Sequence, residues 1–309
     1  MRIAIMGTGG IGAYYGACLA RAGVDVVFVA RGAHLDAMRR NGLRIEDFGG
    51  GEFIIDPVNV TDDPQSVGPV DAVLFCVKMY DTIEAATLCL PLIGDKTCIL
   101  TLQNGVESVA MIDSVVGAGR TLGGAAYVAG SITAPGVVKR NNQITKIEFG
   151  ESDGGISARA RALATLLEGA GIEAIITPDA RAMLWTKFVL MTSNACMTAL
   201  SRCDTGTIKT DPVMRDVYCS AMRETITLGR ALGVNLPADI EDRTLDWLDS
   251  SAPIMASLAV DLINGRRLEV EWLSGAIHRL GIDAGVPTPI HTTAYAALRP
   301  HREGAAGGQ

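Results

Sequence analysis

The sequence has few groups that could support nucleic-acid binding, metal binding or membrane insertion. Its formal net charge is −7, so it lacks the basic surface that nucleic acids and anionic membranes require. Only four histidines occur, and the seven cysteines form neither a CxxC motif nor a Cys/His cluster with metal-ligand spacing. No signal-peptide core or membrane-spanning apolar run is visible. We therefore expect a chain in a bacterial-type cytoplasm with reduced thiols, no metal, no nucleic-acid partner and no membrane partner.

The sequence does contain enough apolar material for two domains. It has 309 residues, of which 48% are hydrophobic and 20% charged, and a domain takes roughly 150 residues. Apolar strands alternate with helical segments up to Pro178, after which only long helical periodicities remain. This order predicts an α/β fold: a Rossmann-type domain over residues 1–178, followed by an all-helical domain over residues 179–309.

Continuous apolar runs indicate parallel strands that are covered on both faces. The predicted strands are residues 2–6, 24–30, 72–77, 98–102 and 172–176. Residues 130–151 contain Pro135-Gly136 and an alternating stretch at 146–149, so we expect a β-hairpin there. Ser157 is the expected N-cap of a helix over residues 157–168. The predicted helices of the second domain cover residues 179–200, 212–232, 236–249 and 254–265.

A glycine-rich loop joins the first strand to the first helix. It reads Gly7, Thr8, Gly9, Gly10, Ile11 and Gly12, which matches G-x-G-x-x-G. The pattern alone is weak, but its position between a strand and a helix is the context that dinucleotide binding requires. The first glycine permits a tight turn, the second lets the backbone approach a pyrophosphate, and the third allows close helix–strand packing. We expect phosphates at the helix N-terminus.

Arg31 follows the second strand, where NAD-dependent enzymes place Asp or Glu. A guanidinium suits the 2′-phosphate of NADP through charge-assisted hydrogen bonds. Stacking on the adenine and an ordinary surface position are the alternatives. The residue therefore favours NADP as the cofactor.

Two polar residues follow later strands at the edge where open α/β sheets bind ligands. Lys78 comes after the strand at 72–77, and Asn104 comes after the strand at 98–102. Both are expected near the nicotinamide half of the cofactor. Alternatively, Lys78 is a solvated strand end and Asn104 is a turn residue before Gly105.

Lys187 is the strongest candidate for moving a proton, because it interrupts a very apolar helix and the histidines lie outside the best motifs. Low polarity should lower its pKa, which helps a lysine donate a proton near neutral pH. A lysine that snorkels from a core helix is the alternative. Glu269 could pair with Lys187, and Ser257 could bind a substrate hydroxyl or carboxylate, although each alone could be a solvated surface group.

Taken together, these residues resemble the ketopantoate reductase (2-dehydropantoate 2-reductase) family over nearly the whole chain. The similar segments are GTGGIG at Gly7–Gly12, Arg31, Val77-Lys78, QNGV at Gln103–Val106, LWTKF around Lys187, Ser257 and Glu269. The resemblance implies NADPH-dependent reduction of ketopantoate to pantoate for coenzyme A synthesis.

The resemblance also implies residue roles. Lys187 would be the general acid, and Lys78 and Asn104 would position cofactor and substrate. Glu269 would bind the nicotinamide ribose and the hydrogen-bond network of Lys187. Ala129 would contact the cofactor through its backbone.

The chain departs from the family at four positions where pantoate-forming members have asparagine. These positions are Met191, Ala195, Thr205 and Ile254. Asn194 lies about 100° around the helix from Ala195, so it cannot simply replace the missing asparagine. A site that hydrogen-bonds a substrate hydroxyl discriminates strongly against substrates without it, and a site that has lost these partners does not. We therefore hypothesise a substrate that is bulkier or less polar than ketopantoate.

Three alternatives stay open. One is a reductase of the same family for another 2-keto acid or ketone, and one is an NADP-binding sensor without catalysis. A β-hydroxyacid dehydrogenase is the third, although its glycine-rich substrate signature is not evident. The apolar stretch at 254–263 could form a homodimer face or belong to the core.

Overall fold

Apolar segments of the N-terminal half form the strands of two sheets in the computed structural model, which describes residues 1–305. The strands are β1 Arg2–Met6, β2 Asp25–Val29, β3 Leu43–Glu46, β4 Glu52–Ile55, β5 Val60–Thr61, β6 Val70–Phe75, β7 Ile93–Thr101, β8 Thr121–Ala126, β9 Gly130–Ala134, β10 Val137–Arg140, β11 Ile147–Glu151 and β12 Ala174–Ile176. The helices are α1 Gly10–Arg21, α2 Gly32–Asn41, α3 Thr82–Leu88, α4 Ser108–Val116, α5 Ala158–Gly169, α6 Ala180–Ser201, α7 Thr205–Thr210, α8 Pro212–Ala231, α9 Ile240–Ser250, α10 Ser257–Ile263, α11 Ser274–Ala284 and α12 Pro289–Leu298.

The main sheet has eight strands in the order β12-β11-β8-β7-β6-β1-β2-β5. All its neighbours are parallel except β8 and β11. The chain runs from β1 to β2 on one side and later returns to β6 on the other side of β1. Such a switch point leaves a crevice at the carboxyl ends of the strands, where ligands bind in open α/β sheets.

Both faces of this sheet are buried, which explains the continuous apolar runs. In β1, Ile3 and Ile5 belong to a core cluster shared with α1 and α5. Ala4 and Met6 belong to a second cluster shared with α3 and α4. Because side chains of a strand alternate between faces, a strand covered on both sides must be apolar at every position.

A second, four-stranded sheet has the order β4-β3-β10-β9. Strands β9 and β10 form the predicted hairpin around Pro135-Gly136. The alternating residues at 146–149 are not part of it. They belong to β11, which pairs with β8 and β12 in the main sheet. The sequence prediction of one hairpin over 130–151 was therefore too long.

The remainder of the described chain is helical, so the predicted fold class is confirmed: an α/β N-terminal part followed by an all-helical part from α6 to α12. Two compact units are present, Met1–Met183 and Leu184–Gln309. Their division falls inside α6, shortly after the boundary predicted at residue 178. Among the residues that the structure describes, no helix has the length and apolarity needed to span a bilayer.

Candidate active site

The glycine-rich segment follows β1 and runs into the first turn of α1, which begins at Gly10. Gly7 has a φ of +93°, and a Cβ atom there would lie 2.7 Å from Cγ1 of Val77. Gly12 lies against the loop itself, because a Cβ on it would be 2.2 Å from the Gly7 carbonyl oxygen. Both positions therefore require glycine for steric reasons within the protein, which agrees with the tight turn and the close packing that the motif predicts.

Gly9 is constrained by nothing in the protein. It is the N-cap residue of α1, and a Cβ atom on it would meet no atom within 4 Å. No side chain caps this helix, and its first turn has no acidic residue. No capping side chain or acidic group of the first turn therefore competes with an anion, which the partial positive charge of the helix end favours.

The loop is fixed to its neighbouring strand by Thr8. This side chain is buried, and its hydroxyl donates a hydrogen bond of 2.9 Å to the carbonyl of Val29, at the end of β2. Next to that strand end, Arg31 is the N-cap residue of α2. Its guanidinium donates to the Asp81 carboxylate over 2.7 Å, and its side chain is 77% exposed. The group predicted to bind a 2′-phosphate is thus already paired with a carboxylate.

Lys78 and Asn104 follow β6 and β7, at the carboxyl edge of the sheet and beside the glycine loop. A buried hydrogen-bond network supports this region, since Gln103 donates from Nε2 to the Thr82 hydroxyl over 2.8 Å. Thr82 in turn donates to the carbonyl of Met79 over 2.7 Å. The turns that contain both residues are therefore fixed by polar side chains in the core, as preorganised binding groups require.

Ala129 lies near the loop because the residue after it, Gly130, contacts Gly10. A Cβ on Gly10 would be 2.2 Å from the Gly130 carbonyl oxygen. The Ala129 N–H donates to the side chain of Asn142 over 3.0 Å, and its carbonyl accepts from Asn141 over 2.7 Å. The predicted backbone contact of Ala129 would therefore compete with hydrogen bonds inside its own loop.

These features fit a dinucleotide in the N-terminal unit. An uncapped helix end, an open position at Gly9 and a cation after β2 are the groups that a pyrophosphate and a phosphorylated ribose require. Across the described residues, no three His, Cys, Asp or Glu side chains are grouped so as to hold a metal ion. All seven cysteines are free thiols.

In the C-terminal unit, Lys187 lies on α6 among large apolar side chains. Trp185 and Phe188 are both buried, and their rings make an edge contact with centroids 5.6 Å apart. Lys187 itself is partly buried. Burial lowers the pKa of its ammonium group to about 8, because removal from water penalises the charged form. A lysine with this pKa exchanges its proton near neutral pH, as general acid catalysis requires.

Two of the positions without asparagine share the helix face of Lys187. Met191 and Ala195 follow it at successive intervals of four residues on α6, which places them about 40° apart in turn around the helix. Asn194 points elsewhere, since its side-chain oxygen accepts a hydrogen bond of 3.1 Å from the buried hydroxyl of Tyr218. It is therefore a core residue, in agreement with the helix geometry.

The other two positions without asparagine, Thr205 and Ile254, are hydrogen-bonded to each other. The Thr205 hydroxyl accepts from the N–H of Ile254 over 2.9 Å, and the Thr205 N–H donates to the Ile254 carbonyl over 3.0 Å. This pair fixes the segment that leads to Ser257, the first residue of α10, whose side chain is exposed. The Thr205 hydroxyl thus has a local structural role.

Glu269 is only 6% exposed, so it is not a solvated surface group. It precedes a short 3-10 turn between α10 and α11. A buried carboxylate needs hydrogen-bonding or charged partners. Its predicted pairing with Lys187 stays a prediction.

Two of the four histidines, His291 and His34, are held by hydrogen bonds within the protein and are poor candidates for the catalytic acid. His291 is fully buried, and its Nδ1 and Nε2 lie 3.1 Å from the Ser274 hydroxyl and 3.0 Å from the Ala221 carbonyl. Burial lowers the pKa of His291 to about 4, so the ring is neutral and structural. His34 accepts from the N–H of Gly136 over 3.0 Å and connects α2 to the hairpin.

The sequence analysis did not predict supporting roles for Asp81 or Gln103, and it named Thr8 only as part of the glycine loop, without its hydrogen bond to Val29. Thr8 lies inside the glycine motif and Gln103 directly precedes Asn104, so their positions were a usable signal. Asp81 contacts Arg31 across fifty residues of sequence, and no local pattern indicates that contact.

Comparison with known proteins matches this architecture over the whole chain. The family model "Ketopantoate reductase PanE/ApbA" matches residues 3–154, and its C-terminal counterpart matches residues 179–302. A 2-dehydropantoate 2-reductase of Mesorhizobium japonicum is 32% identical over 97% of both chains. The crystal structure of a PanE/ApbA family ketopantoate reductase from Ralstonia eutropha JMP134 superposes with a TM-score of 0.90 at 30% identity, covering 98% of each chain.

A D-mandelate dehydrogenase, solved with NADH and anilino(oxo)acetate, has the same fold. Its TM-score is also 0.90, but only 20% of the residues are identical, with 98% of each chain covered. The two family models and the relative at 32% identity lead to one assignment. The chain belongs to the ketopantoate reductase PanE/ApbA family of oxidoreductases.

Proposed function

We propose that this protein is an NADPH-dependent reductase that converts the keto group of a 2-keto acid to a hydroxyl group. Ketopantoate, which would give pantoate, is the first candidate substrate, as in the curated relatives named 2-dehydropantoate 2-reductase. The observation that carries the proposal is Lys187: a partly buried lysine on an apolar helix, with a pKa lowered to about 8.

Reduction of a carbonyl requires a hydride at carbon and a proton at oxygen. Bound NADPH supplies the hydride. The Lys187 ammonium donates the proton to the carbonyl oxygen, and the neutral amine that remains regains a proton from solvent. A pKa of about 8 keeps most of the group protonated at neutral pH while weakening its hold on the proton.

The remaining site residues bind and orient in this proposal. The α1 N-terminus holds the pyrophosphate, and Arg31 binds the 2′-phosphate, which favours NADPH over NADH. Lys78 and Asn104 position cofactor and substrate at the carboxyl edge of the sheet. Glu269 binds the nicotinamide ribose and keeps Lys187 charged and aimed, and Ser257 binds a polar group of the substrate.

A second candidate substrate is a 2-keto acid that is less polar than ketopantoate. Met191 and Ala195 on the face of Lys187 favour it, since neither side chain can hydrogen-bond a substrate hydroxyl. A site that bonds a hydroxyl rejects analogues without it, whereas an apolar site discriminates mainly by size.

The experiment is the initial rate of NADPH oxidation with a panel of 2-keto acids. The panel contains ketopantoate, its analogue without the hydroxyl group (2-keto-3,3-dimethylbutanoate), and an aromatic 2-keto acid (phenylglyoxylate), with NADH as the cofactor control. Saturable turnover of ketopantoate with a micromolar KM would favour the first candidate. Faster turnover of either apolar compound would favour the second. Binding of NADPH without turnover of any 2-keto acid would contradict the proposal and favour a non-catalytic sensor.

A further inference from the structure

The ion pair between Arg31 and Asp81 crosses the carboxyl end of β1. Arg31 follows β2, Asp81 follows β6, and these two strands flank β1 in the sheet. The pair therefore lies beside the loop that starts at Gly7. This is the part of the fold where a dinucleotide's adenosine ribose is recognised, by a carboxylate in NAD enzymes and by arginine in NADP enzymes. Here both kinds of group lie together, 2.7 Å apart.

The two partners differ in how firmly they are held. The Asp81 side chain is 17% exposed, whereas that of Arg31 is 77% exposed. The Asp81 N–H donates to the Lys78 carbonyl over 3.0 Å, and the next residue, Thr82, is fully buried and bonded to Gln103. Asp81 is thus a fixed carboxylate, and the exposed arginine is the partner that can adapt to a ligand.

We propose that Asp81 is a specificity-determining residue that narrows this protein's preference for NADPH over NADH. The inference rests on the proposed cofactor site. Arginine has five N–H donors, and Asp81 takes only part of them, so Arg31 can bind a 2′-phosphate while keeping this partner. The phosphate, with a charge of roughly −1.5 to −2, then lies next to a carboxylate of the same sign.

The size of the effect follows from Coulomb's law. A carboxylate and a phosphate on two edges of one guanidinium are about 6 Å apart. At the dielectric constant of water, their repulsion lowers affinity about tenfold without screening and about threefold when salt screens it. NADH has no charge at this position, so repulsion from Asp81 does not lower its affinity. The wild-type protein should therefore use both cofactors, with a smaller preference for NADPH than Arg31 alone would produce.

The test measures binding, so it does not depend on finding the substrate. Isothermal titration calorimetry of the full chain with NADP⁺ and with NAD⁺ compares the wild type with Asp81→Asn. Asparagine has nearly the size of aspartate, and the Asp81 side chain makes no capping hydrogen bond to α3, so the fold should be kept. Asp81→Ser serves as a second variant that removes the same charge.

The matched control is Asp62→Asn. Asp62 forms an ion pair of 2.8 Å with Arg39 in the same unit, so this variant removes the same charge from a similar pair elsewhere. We expect Asp81→Asn to tighten NADP⁺ binding three- to tenfold and to change NAD⁺ binding less than twofold. Asp62→Asn should change neither the NADP⁺ affinity nor the NAD⁺ affinity.

Two results would overturn the proposal about Asp81. Weaker binding of NADP⁺ to Asp81→Asn would mean that the carboxylate positions Arg31 for the phosphate rather than opposing it. An unchanged ratio of NADP⁺ to NAD⁺ affinity would mean that Asp81 has no part in the choice. Failure of the wild type to bind either dinucleotide would instead contradict the proposed function itself.

Discussion

At the scale of single residues, Lys187 combines a charge with an apolar helix. A lysine in water has a pKa well above physiological pH and holds its proton firmly. Beside buried side chains such as Trp185 and Phe188, the charged form is less favourable, and the pKa falls to about 8. Burial of a lysine destabilises an ordinary helix, but here it also weakens the hold of Lys187 on its proton, which can then be transferred to a substrate.

This pKa predicts how the reaction depends on pH. Lys187 must be protonated to act as an acid, so the rate of keto-acid reduction should be constant below about pH 8 and fall about tenfold for each pH unit above it. The reverse oxidation, which needs the neutral amine, should rise over the same interval. Initial rates at keto-acid concentrations well below KM, which report the pKa before the keto acid binds, test this between pH 6.5 and 10. A reduction rate that is flat across pH 8 would exclude Lys187 as the titrating acid.

Individual candidate residues were easier to select from the sequence than the partners of their side chains. Lys187 is conspicuous as a charge in an apolar run, and the angle around the helix correctly separates Asn194 from the site. The pairs Arg31–Asp81 and Thr205–Ile254 were not predictable, because each joins residues about fifty positions apart. Only the folded topology brings such partners together.

At the scale of elements, the end of α1 concentrates the features that suit a cofactor. Gly7 and Gly12 are required by the packing of the protein against itself, whereas Gly9 faces open space. A ligand that approaches the backbone would explain why glycine occurs at position 9, where the packing of the protein does not require it.

This contrast predicts a variant that folds but binds the cofactor poorly. In Gly9→Ala, the backbone conformation (φ −80°, ψ −167°) suits alanine and no protein atom is in the way. The free energy of unfolding should change by less than about 1 kcal/mol, while NADP⁺ affinity falls at least about tenfold from steric conflict with the pyrophosphate.

Gly169→Ala is the control, since a Cβ there also meets nothing within 4 Å, at the end of α5. Thermal denaturation and calorimetric titration with NADP⁺ measure the two effects separately. Unchanged NADP⁺ affinity in Gly9→Ala would place the pyrophosphate away from this helix end.

Apolar strands such as β1 were predicted well, whereas the buried strand β8, which is rich in glycine and alanine, and the exposed strands were missed. Strand β1 was predicted with its observed bounds, and Ser157 caps α5 through the N–H of Ala160, as expected. Strands β3 and β4 were missed because they are only four residues long and partly exposed. Strand β3 also pairs with β10, which is distant in the sequence, so no local pattern indicates the second sheet.

At the scale of the whole molecule, the proposed tasks belong to different compact units. The glycine loop, Arg31, Lys78 and Asn104 lie in Met1–Met183, whereas Lys187, Ser257 and Glu269 lie in the unit that begins at Leu184. The strand pattern of the sequence ends at residue 176, shortly before α6. Which substrate the second unit accepts was not predictable, since four positions differ from the family pattern.

The most direct test of the central claim is therefore to remove the proposed acid while leaving the glycine loop and Arg31 unchanged. In Lys187→Ala, we expect calorimetric binding of NADP⁺ to stay within twofold of the wild type, while keto-acid reduction falls about 10²- to 10⁴-fold. Lys209→Ala, which removes the other lysine of the C-terminal unit, should keep its activity. Full activity in Lys187→Ala would contradict the account, because the proton would then come from another group.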